Sequence, residues 1–412
     1  MKLAVLTPHF APDVAPTGAV VTRIVEELAA RGHRIEVYTS LPWYRTNEVE
    51  PGYGGRLIRR EDLPWGSITR IHPLPAPNKR ALVRRAAAFG AFTTMAAVVA
   101  SRGDALDGVL AVSPPLSLGL AGSRVAKARR APFVFNIQDV FPDVVIELGY
   151  LRNPTLIAAA KRLERHCYAR ADAITVLSEG LRANVSGKVT DGTKVRVIPN
   201  FVDTDAITPA SKDNSYRAEF GLTGKKVVMY AGNVGLSQSI DLMLEAATAL
   251  AYEVDLVFVI NGTGARRAEL ERRAADLDNV VFVDLQPIER LPEVLAAADI
   301  HVVALKRGLA SASVPSKAYS IFAAGRPIVA SVDEGSVIAD MVSSAGGGIA
   351  VPPEDAEAFT KAIRKLLDDP GEADAMGRAG RSFVEGAASP TAIAGAYEEL
   401  FTELSSKRPT TR

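Results

Sequence analysis

The sequence predicts an α/β protein built as two doubly wound halves in tandem. Short apolar runs alternate with amphipathic stretches almost throughout, the pattern of parallel strands joined by crossover helices. The pattern restarts near Lys226, after a polar stretch from Phe201 to Gly224, so it reads as two domains with a linker between them. At 412 residues the chain is too long for one ordinary core. It suits two domains of about 200 residues each.

The elements follow in order. Leu3 to Leu6 is a short apolar run that reads as a buried first strand. After a loop rich in Pro, Asp and Gly, Val21, Ile24, Val25 and Leu28 recur at helical spacing, and Gly32 ends that helix. Further strands are expected at Ile35 to Thr39, Val109 to Val112, Phe133 to Ile137, Ile174 to Leu177 and Val195 to Ile198. Asn153 and Pro154 make an N-cap and first-turn pair for a long helix reaching Ala171. In the second half, Val227 to Ala231 is a strand followed by a glycine loop from Gly232 to Gly235 and a helix carrying Ile240, Leu242, Leu244 and Ala247. Strands at Leu256 to Ile260, Val280 to Val283, Ile300 to Ala304 and Ile328 to Ala330 complete it.

Composition narrows the class. The chain is 48% hydrophobic and 23% charged, which is globular, and its net charge of +1 implies no overall pull toward nucleic acid. A single cysteine, Cys167, precludes an internal disulfide framework and suits a reducing cytoplasm. No run reaches the roughly eighteen apolar residues of a spanning helix, and the N-terminus does not read as a signal peptide. The apolar stretch Ala86 to Val99 is flanked by Lys79, Arg80, Arg84, Arg85 and Arg102. It reads either as a helix lying on an anionic membrane surface or as a core helix with a basic rim.

Several blocks then resemble one family in the expected order. Val197-Ile-Pro-Asn-Phe-Val-Asp203 resembles the interdomain signature of the family 4 retaining glycosyltransferases. Gly232 to Asp241, Asn261-Gly-Thr-Gly264, Leu295 to Ile300 and Ala323 to Ile328 resemble further blocks of that family. Ala15-Pro-Thr-Gly18, Val112-Ser-Pro-Pro115 and Asp139-Val-Phe-Pro-Asp143 look like the branch that builds bacterial surface polysaccharides, including transferases of N-acetylated amino sugars. The resemblance implies a GT-B fold of two facing Rossmann-like domains. It divides the chain into an acceptor domain over 1–200, a linker over 201–224, a donor domain over 225–386 and a helix over 387–412 that crosses back. It also implies metal-independent, retaining transfer of a hexosyl group from a nucleotide-sugar, with uridine the expected base and no cofactor. The acceptor would be a polyprenyl-diphosphate-linked or free saccharide, and the enzyme cytoplasmic or peripheral on the inner membrane face.

The leaving diphosphate of such a donor calls for positive charge or aligned N–H groups. Ser313-Val-Pro-Ser-Lys317 offers both, with Ser313 as cap, Pro315 in the first turn, Ser316 beside it and Lys317 adding a full charge. Gly18 opens the first helix, and Gly232, Asn233 and Gly235 form the corresponding loop of the second half; close backbone approach to a phosphate or sugar is the expected role. The family's Arg and Lys in that second loop fall on Asn233 and Gln238, so two charges are missing and phosphate neutralisation rests on Lys317, with Arg307 as a second candidate. The family's paired glutamates fall on Ala312 and Ser320; Ser320 can still hydrogen-bond a ribose, whereas Ala312 cannot. The backbone of Asp284 to Pro287, including Leu285 and Gln286, is the expected reader of the base.

In the first half, Asp139 lies just past a strand, at the end where open α/β sheets hold ligands. It either orients an acceptor hydroxyl or caps the next segment. Gln138 stands where relatives carry His, and it orients without shuttling a proton. Asp143 and Glu147 read as solvated or capping residues, Asn261 to Gly264 as a packing turn, and His9 as a loop residue that either lines the site or is solvated. Trp43, Tyr44 and Trp65 lie in loops where they would touch lipid or acceptor, and no histidine shows metal-ligand spacing. A nucleotide-sugar 2-epimerase of the same fold, or a catalytically reduced partner subunit, is the competing reading. Both halves lack the G-x-G-x-x-G fingerprint of a dehydrogenase.

Overall fold

A computed structural model describes residues 1–45, 48–74, 82–147, 151–308 and 316–407, with only the backbone of 82–87 and of 147. The chain forms two compact units, Met1–Asn200 with Ile393–Arg412, and Phe201–Ala392.

Unit 1 carries an eight-stranded sheet built from β1 (Lys2–Leu6), β2 (Arg34–Ser40), β3 (Ile58–Leu63), β4 (Gly66–Ile71), β5 (Gly108–Ser113), β6 (Phe133–Ile137), β7 (Ala173–Val176) and β8 (Val195–Val197). The strand order is β3-β4-β2-β1-β5-β6-β7-β8. The pairs are parallel except β3 with β4, an antiparallel hairpin at the edge. Burial of the parallel strands is nearly complete, as expected for a sheet covered on both faces.

The hairpin was not expected from the sequence, and its composition explains why. Ile58–Leu63 is mostly charged and exposed, so it carries no apolar signal. Its partner β4 buries Arg70, whose guanidinium donates to Glu61 Oε1 on β3 at 3.0 Å and to Ala11 O at 2.7 Å.

Helices behave as their local chemistry dictates. The helix Pro16–Ala30 ends before Gly32, which takes a φ of +84°. The helix Pro154–Arg170 is capped by Asn153, whose side chain accepts from the Thr155 and Leu156 N–H groups. Its Cys167 is fully buried against Gly119, and burial pushes the thiol up to about 12. The final helix, Pro390–Ser406, packs into unit 1 from Ile393 onward. Phe401 fills the space that a side chain at Gly108 would need, and burying a phenylalanine contributes about 1.5–3 kcal/mol. Arg31 binds Glu398 at 2.9 Å at the rim.

Unit 2 carries a six-stranded sheet of β9 (Lys226–Ala231), β10 (Leu256–Asn261), β11 (Val280–Val283), β12 (Ile300–Ala304), β13 (Ile328–Ser331) and β14 (Gly348–Val351), in the order β11-β10-β9-β12-β13-β14. Every pairing described in it is parallel. β14 was missed because four residues, only partly buried, give no usable periodicity.

The stretch 201–224, expected as a linker from its polar composition, belongs to unit 2. Val202, Ile207, Tyr216 and Leu222 are buried there, and a short helix, Ser215–Glu219, forms. Arg217 is 2% exposed, and its guanidinium donates to Asp299 Oδ2 at 2.7 Å and to the Ala297 carbonyl at 2.8 Å. A buried cation paired with a carboxylate far along the chain leaves only a polar trace in the sequence.

Candidate functional site

The carboxyl ends of β9 and β10 in unit 2 carry two glycine loops that fit back to back. Gly262 and Gly264 have φ near +160°, and a Cβ on either would overlap the carbonyl of Gly232 or of Val234. Backbone bonds seal the pair, Gly232 N to Asn261 O and Val234 N to Thr263 O, both 2.8 Å. Asn261 to Gly264 therefore does pack and turn, and its work is to hold the loop at Gly232.

Gly232 has its own reason to be glycine. Its φ is +138°, and a Cβ there would overlap Cε and Nζ of Lys317. Lys317 sits in the first turn of the helix Ser316–Ala323. Its ammonium lies 4.3 Å from the centre of the Tyr230 ring and donates to the Tyr230 hydroxyl at 2.6 Å. That hydroxyl in turn donates to the Asn233 carbonyl at 2.6 Å. No carboxylate pairs with Lys317 among the described residues, and burial lowers its ammonium to about 8. Burial also keeps the Tyr230 phenol well above its ordinary value, so it remains a neutral partner. A half-buried cation with no counter-charge favours an incoming anion.

The Lys317 amine borders a cavity of about 380 Å3 lined by Gly232, Leu285, Gln286, Pro287, Ile288, Leu291, Ser316, Lys317, Ser320 and Ile321, among others. One wall is apolar, and Leu285 and Ile288 are 60% and 72% exposed at it. Gln286 is tied to that loop, accepting from Arg290 Nη1 at 2.8 Å and donating to the Asp284 carbonyl. The Ser320 hydroxyl donates to Ser316 O at 3.2 Å and retains its lone pairs.

Of the donor-side residues expected from sequence, Gly232, Leu285, Gln286, Ser316, Lys317 and Ser320 thus share one cavity. Asn233, Gly235 and Gln238 build the adjoining loop instead, with Gly235 N donating to Gln238 Oε1 at 3.0 Å. Arg307 donates to the Pro353 carbonyl at 3.1 Å. Ala312, Ser313 and Pro315 lie outside the described residues, as do Lys79 and Arg80. Tyr230, Ile288 and Leu291 were missed. Tyr230 reads as a strand residue, and its place two positions before the glycine loop was the available clue.

In unit 1, Gln138 and Asp139 follow β6. Gln138 is buried, donating to Asn136 Oδ1 at 2.7 Å and accepting from Asn200 at 3.0 Å. Asn136 donates on to Thr175 and to Tyr397 of the last helix, both at 3.0 Å. Gln138 is thus one link in a buried amide network. Asp139 is exposed by surface area, while crowding by nearby atoms raises its carboxyl above the usual range. Among the described residues it caps nothing. Asp143 is held by Lys188 at 2.6 Å, which also binds Glu164 at 2.7 Å, so it serves an ion-pair cluster. Gly18 lies in the first turn of its helix, where a Cβ would press on His9 at 2.9 Å.

Among the described residues no group of three or more His, Cys, Asp or Glu could hold a metal ion, and no helix is long and apolar enough to cross a membrane.

Comparison with known proteins agrees with this architecture. The description "Glycosyl transferase 4-like domain" matches residues 17–200, and "Glycosyl transferases group 1" matches 225–369. WcaI of Escherichia coli strain K12, provisionally named a colanic acid biosynthesis glycosyl transferase, is 29% identical over 89% of this chain and 92% of its own. Sucrose-phosphate synthase from Thermosynechococcus elongatus superposes with a TM-score of 0.68 at 21% identity, covering 99% of this chain and 100% of its own. Anabaena Alr3699/HepE, crystallised with UDP and glucose, superposes with a TM-score of 0.64 at 13% identity, over 98% and 100%. Two matched domains that together span most of the sequence, on the GT-B fold, show that the chain belongs to the family 4 glycosyltransferases.

Proposed function

We propose that the protein is a retaining, metal-independent hexosyltransferase that moves a sugar from a UDP-linked donor to a lipid-linked or saccharide acceptor in surface polysaccharide synthesis. The proposed sugar is an N-acetylated amino sugar. The observation that carries this reading is the Lys317 ammonium, unpaired with any carboxylate among the described residues and set at the edge of an apolar-walled cavity. A nucleoside diphosphate matches both features, with base and ribose against Leu285 to Ile288 and Ser320, and phosphates at Lys317. The WcaI likeness supports polysaccharide synthesis, and the UDP held by HepE supports the base.

In this reading the protein's part is to stabilise charge developing on the departing diphosphate, through Lys317 and the N–H groups of the Gly232 loop. The leaving oxygen takes the acceptor's proton on the same face, so the site needs few acids. Asp139 is the proposed group for orienting the acceptor hydroxyl, and Gln138 keeps the segment before it in place.

Calorimetric titration with UDP, GDP and UDP-N-acetylglucosamine in excess EDTA tests this. Uridine-selective, chelator-resistant binding is expected. Absence of binding by any of the three would remove the basis for a transferase and favour a partner-subunit role. Interconversion of UDP-N-acetylglucosamine with its 2-epimer, without transfer, would favour the epimerase.

A further inference from the structure

The Tyr230 hydroxyl lies 2.6 Å from Lys317 Nζ and 2.6 Å from the Asn233 carbonyl. A phenol has one proton, and here the carbonyl receives it, so toward Lys317 the phenol oxygen only accepts. It holds one N–H of the amine and cannot donate to the amine's lone pair. The ring, whose centre is 4.3 Å from Nζ, offers no donor either. Once the ammonium loses a proton, its lone pair is therefore unclaimed by any described side chain. Burial brings that loss within reach, because it lowers the ammonium to about 8. Lys188 and Lys194, also partly buried, differ: the first binds Asp143 and Glu164, and the second donates to the carbonyls of Tyr168 and Ala171. Lys317 instead faces a cavity of about 380 Å3, with the hydroxyls of Ser316 and Ser320 in its lining and room for a small phosphate ester or anhydride.

We propose that Lys317 is a modification site for small acyl phosphates, whose phosphate docks beside the amine in this cavity and whose acyl group passes to Nζ. A docked phosphate oxygen takes the ammonium's proton, and the freed lone pair attacks the acyl carbon. A C–N bond forms, the bond from that carbon to the bridging oxygen breaks, and the oxygen leaves with both electrons. The second proton lost by nitrogen also goes to the phosphate. Ammonium and acyl phosphate dianion thus give an amide and dihydrogen phosphate, with atoms and charge conserved. The amide is uncharged, so the cavity loses the cation that attracts a diphosphate. As a means of switching the site off, the modification rests on the transferase reading; as chemistry of the amine, it needs only an anion in the cavity.

The whole protein is incubated with acetyl phosphate at neutral pH, and acetylation of each lysine is followed in time by peptide mass spectrometry. An amine that titrates near 8 is free about a hundredfold more often than an ordinary lysine, and its lower basicity takes back part of that gain. An initial rate at Lys317 about tenfold above the median lysine is therefore expected. Excess pyrophosphate should protect Lys317 selectively. Acetic anhydride, which has no phosphate to dock, should show a smaller preference for Lys317. A rate at Lys317 no higher than the median, no protection by pyrophosphate, or an equal preference with the anhydride overturns the proposal. Calorimetric titration with UDP before and after acetylation keeps the two readings apart. Loss of UDP binding in proportion to acetylation of Lys317 supports both. UDP binding by a protein whose Lys317 is not selectively acetylated refutes only the modification. Selective acetylation of a protein that binds no UDP upholds the modification and refutes the transferase reading.

Discussion

Replacing Lys317 by methionine keeps most of the stem and removes the charge. In the free protein the ammonium has only the Tyr230 hydroxyl and ring as partners, and burial lowers it to about 8. A hydrogen bond to a charged group contributes about 1.5–3 kcal/mol, so Lys317→Met should weaken UDP binding about 10- to 150-fold. The sign of the pH effect follows from the same geometry. Bound diphosphate favours the ammonium, so the pKa is higher in the complex than in the free protein. Affinity is then greatest below pH 8 and falls by about tenfold per pH unit above it, until the pKa of the complex is reached. At pH 8 each binding event takes up about half a proton, visible as a dependence of the calorimetric heat on the buffer's ionisation enthalpy. The variant should show neither the alkaline fall nor the buffer dependence. Its thermal stability without nucleotide should be no lower than that of the parent, because the desolvated charge is gone. Affinity within about twofold of the parent, or an alkaline fall that survives the substitution, would refute the assignment of Lys317 as phosphate anchor.

Tyr230→Phe keeps the ring beneath Lys317 but removes the hydroxyl linking it to the Asn233 carbonyl. UDP affinity should drop about three- to tenfold, and its alkaline limb should move to lower pH, since a donor-accepting partner of the ammonium is lost. Gly232→Ala combines overlap with Lys317 and a φ of +138°. A loss of about 1–3 kcal/mol in denaturant unfolding is expected, together with loss of UDP binding. Asn153→Ala removes the cap of the helix Pro154–Arg170 and should cost about 1 kcal/mol in the same assay, with UDP binding unchanged. Asp299→Ala strands buried Arg217 and should cost about 3–5 kcal/mol, far more than a surface ion pair would.

What the sequence determined by itself was whatever neighbours along the chain can specify. Apolar runs located β1, β6, β11 and β12, because hydrophobic periodicity is a local property. Asn153 before Pro154 announced a helix start, and Lys317 beside Ser316 was expected in a first helical turn, where it lies. The hairpin Ile58–Leu63 with Gly66–Ile71 escaped because its energetics lie in the Arg70–Glu61 pair rather than in an apolar pattern. The stretch 201–224 looked like a linker because the carboxylate that makes Arg217 tolerable inside comes from far along the chain, at Asp299. Only the tertiary structure could show that Gly232 is glycine to admit an amine from 317, or that this amine rests on Tyr230, 87 residues away. The same holds for His9, solitary in the sequence, which folding places between a buried carboxylate and two aromatic rings. Such groupings arise where carboxyl ends of strands converge, and that convergence depends on strand order, which no local stretch of sequence encodes.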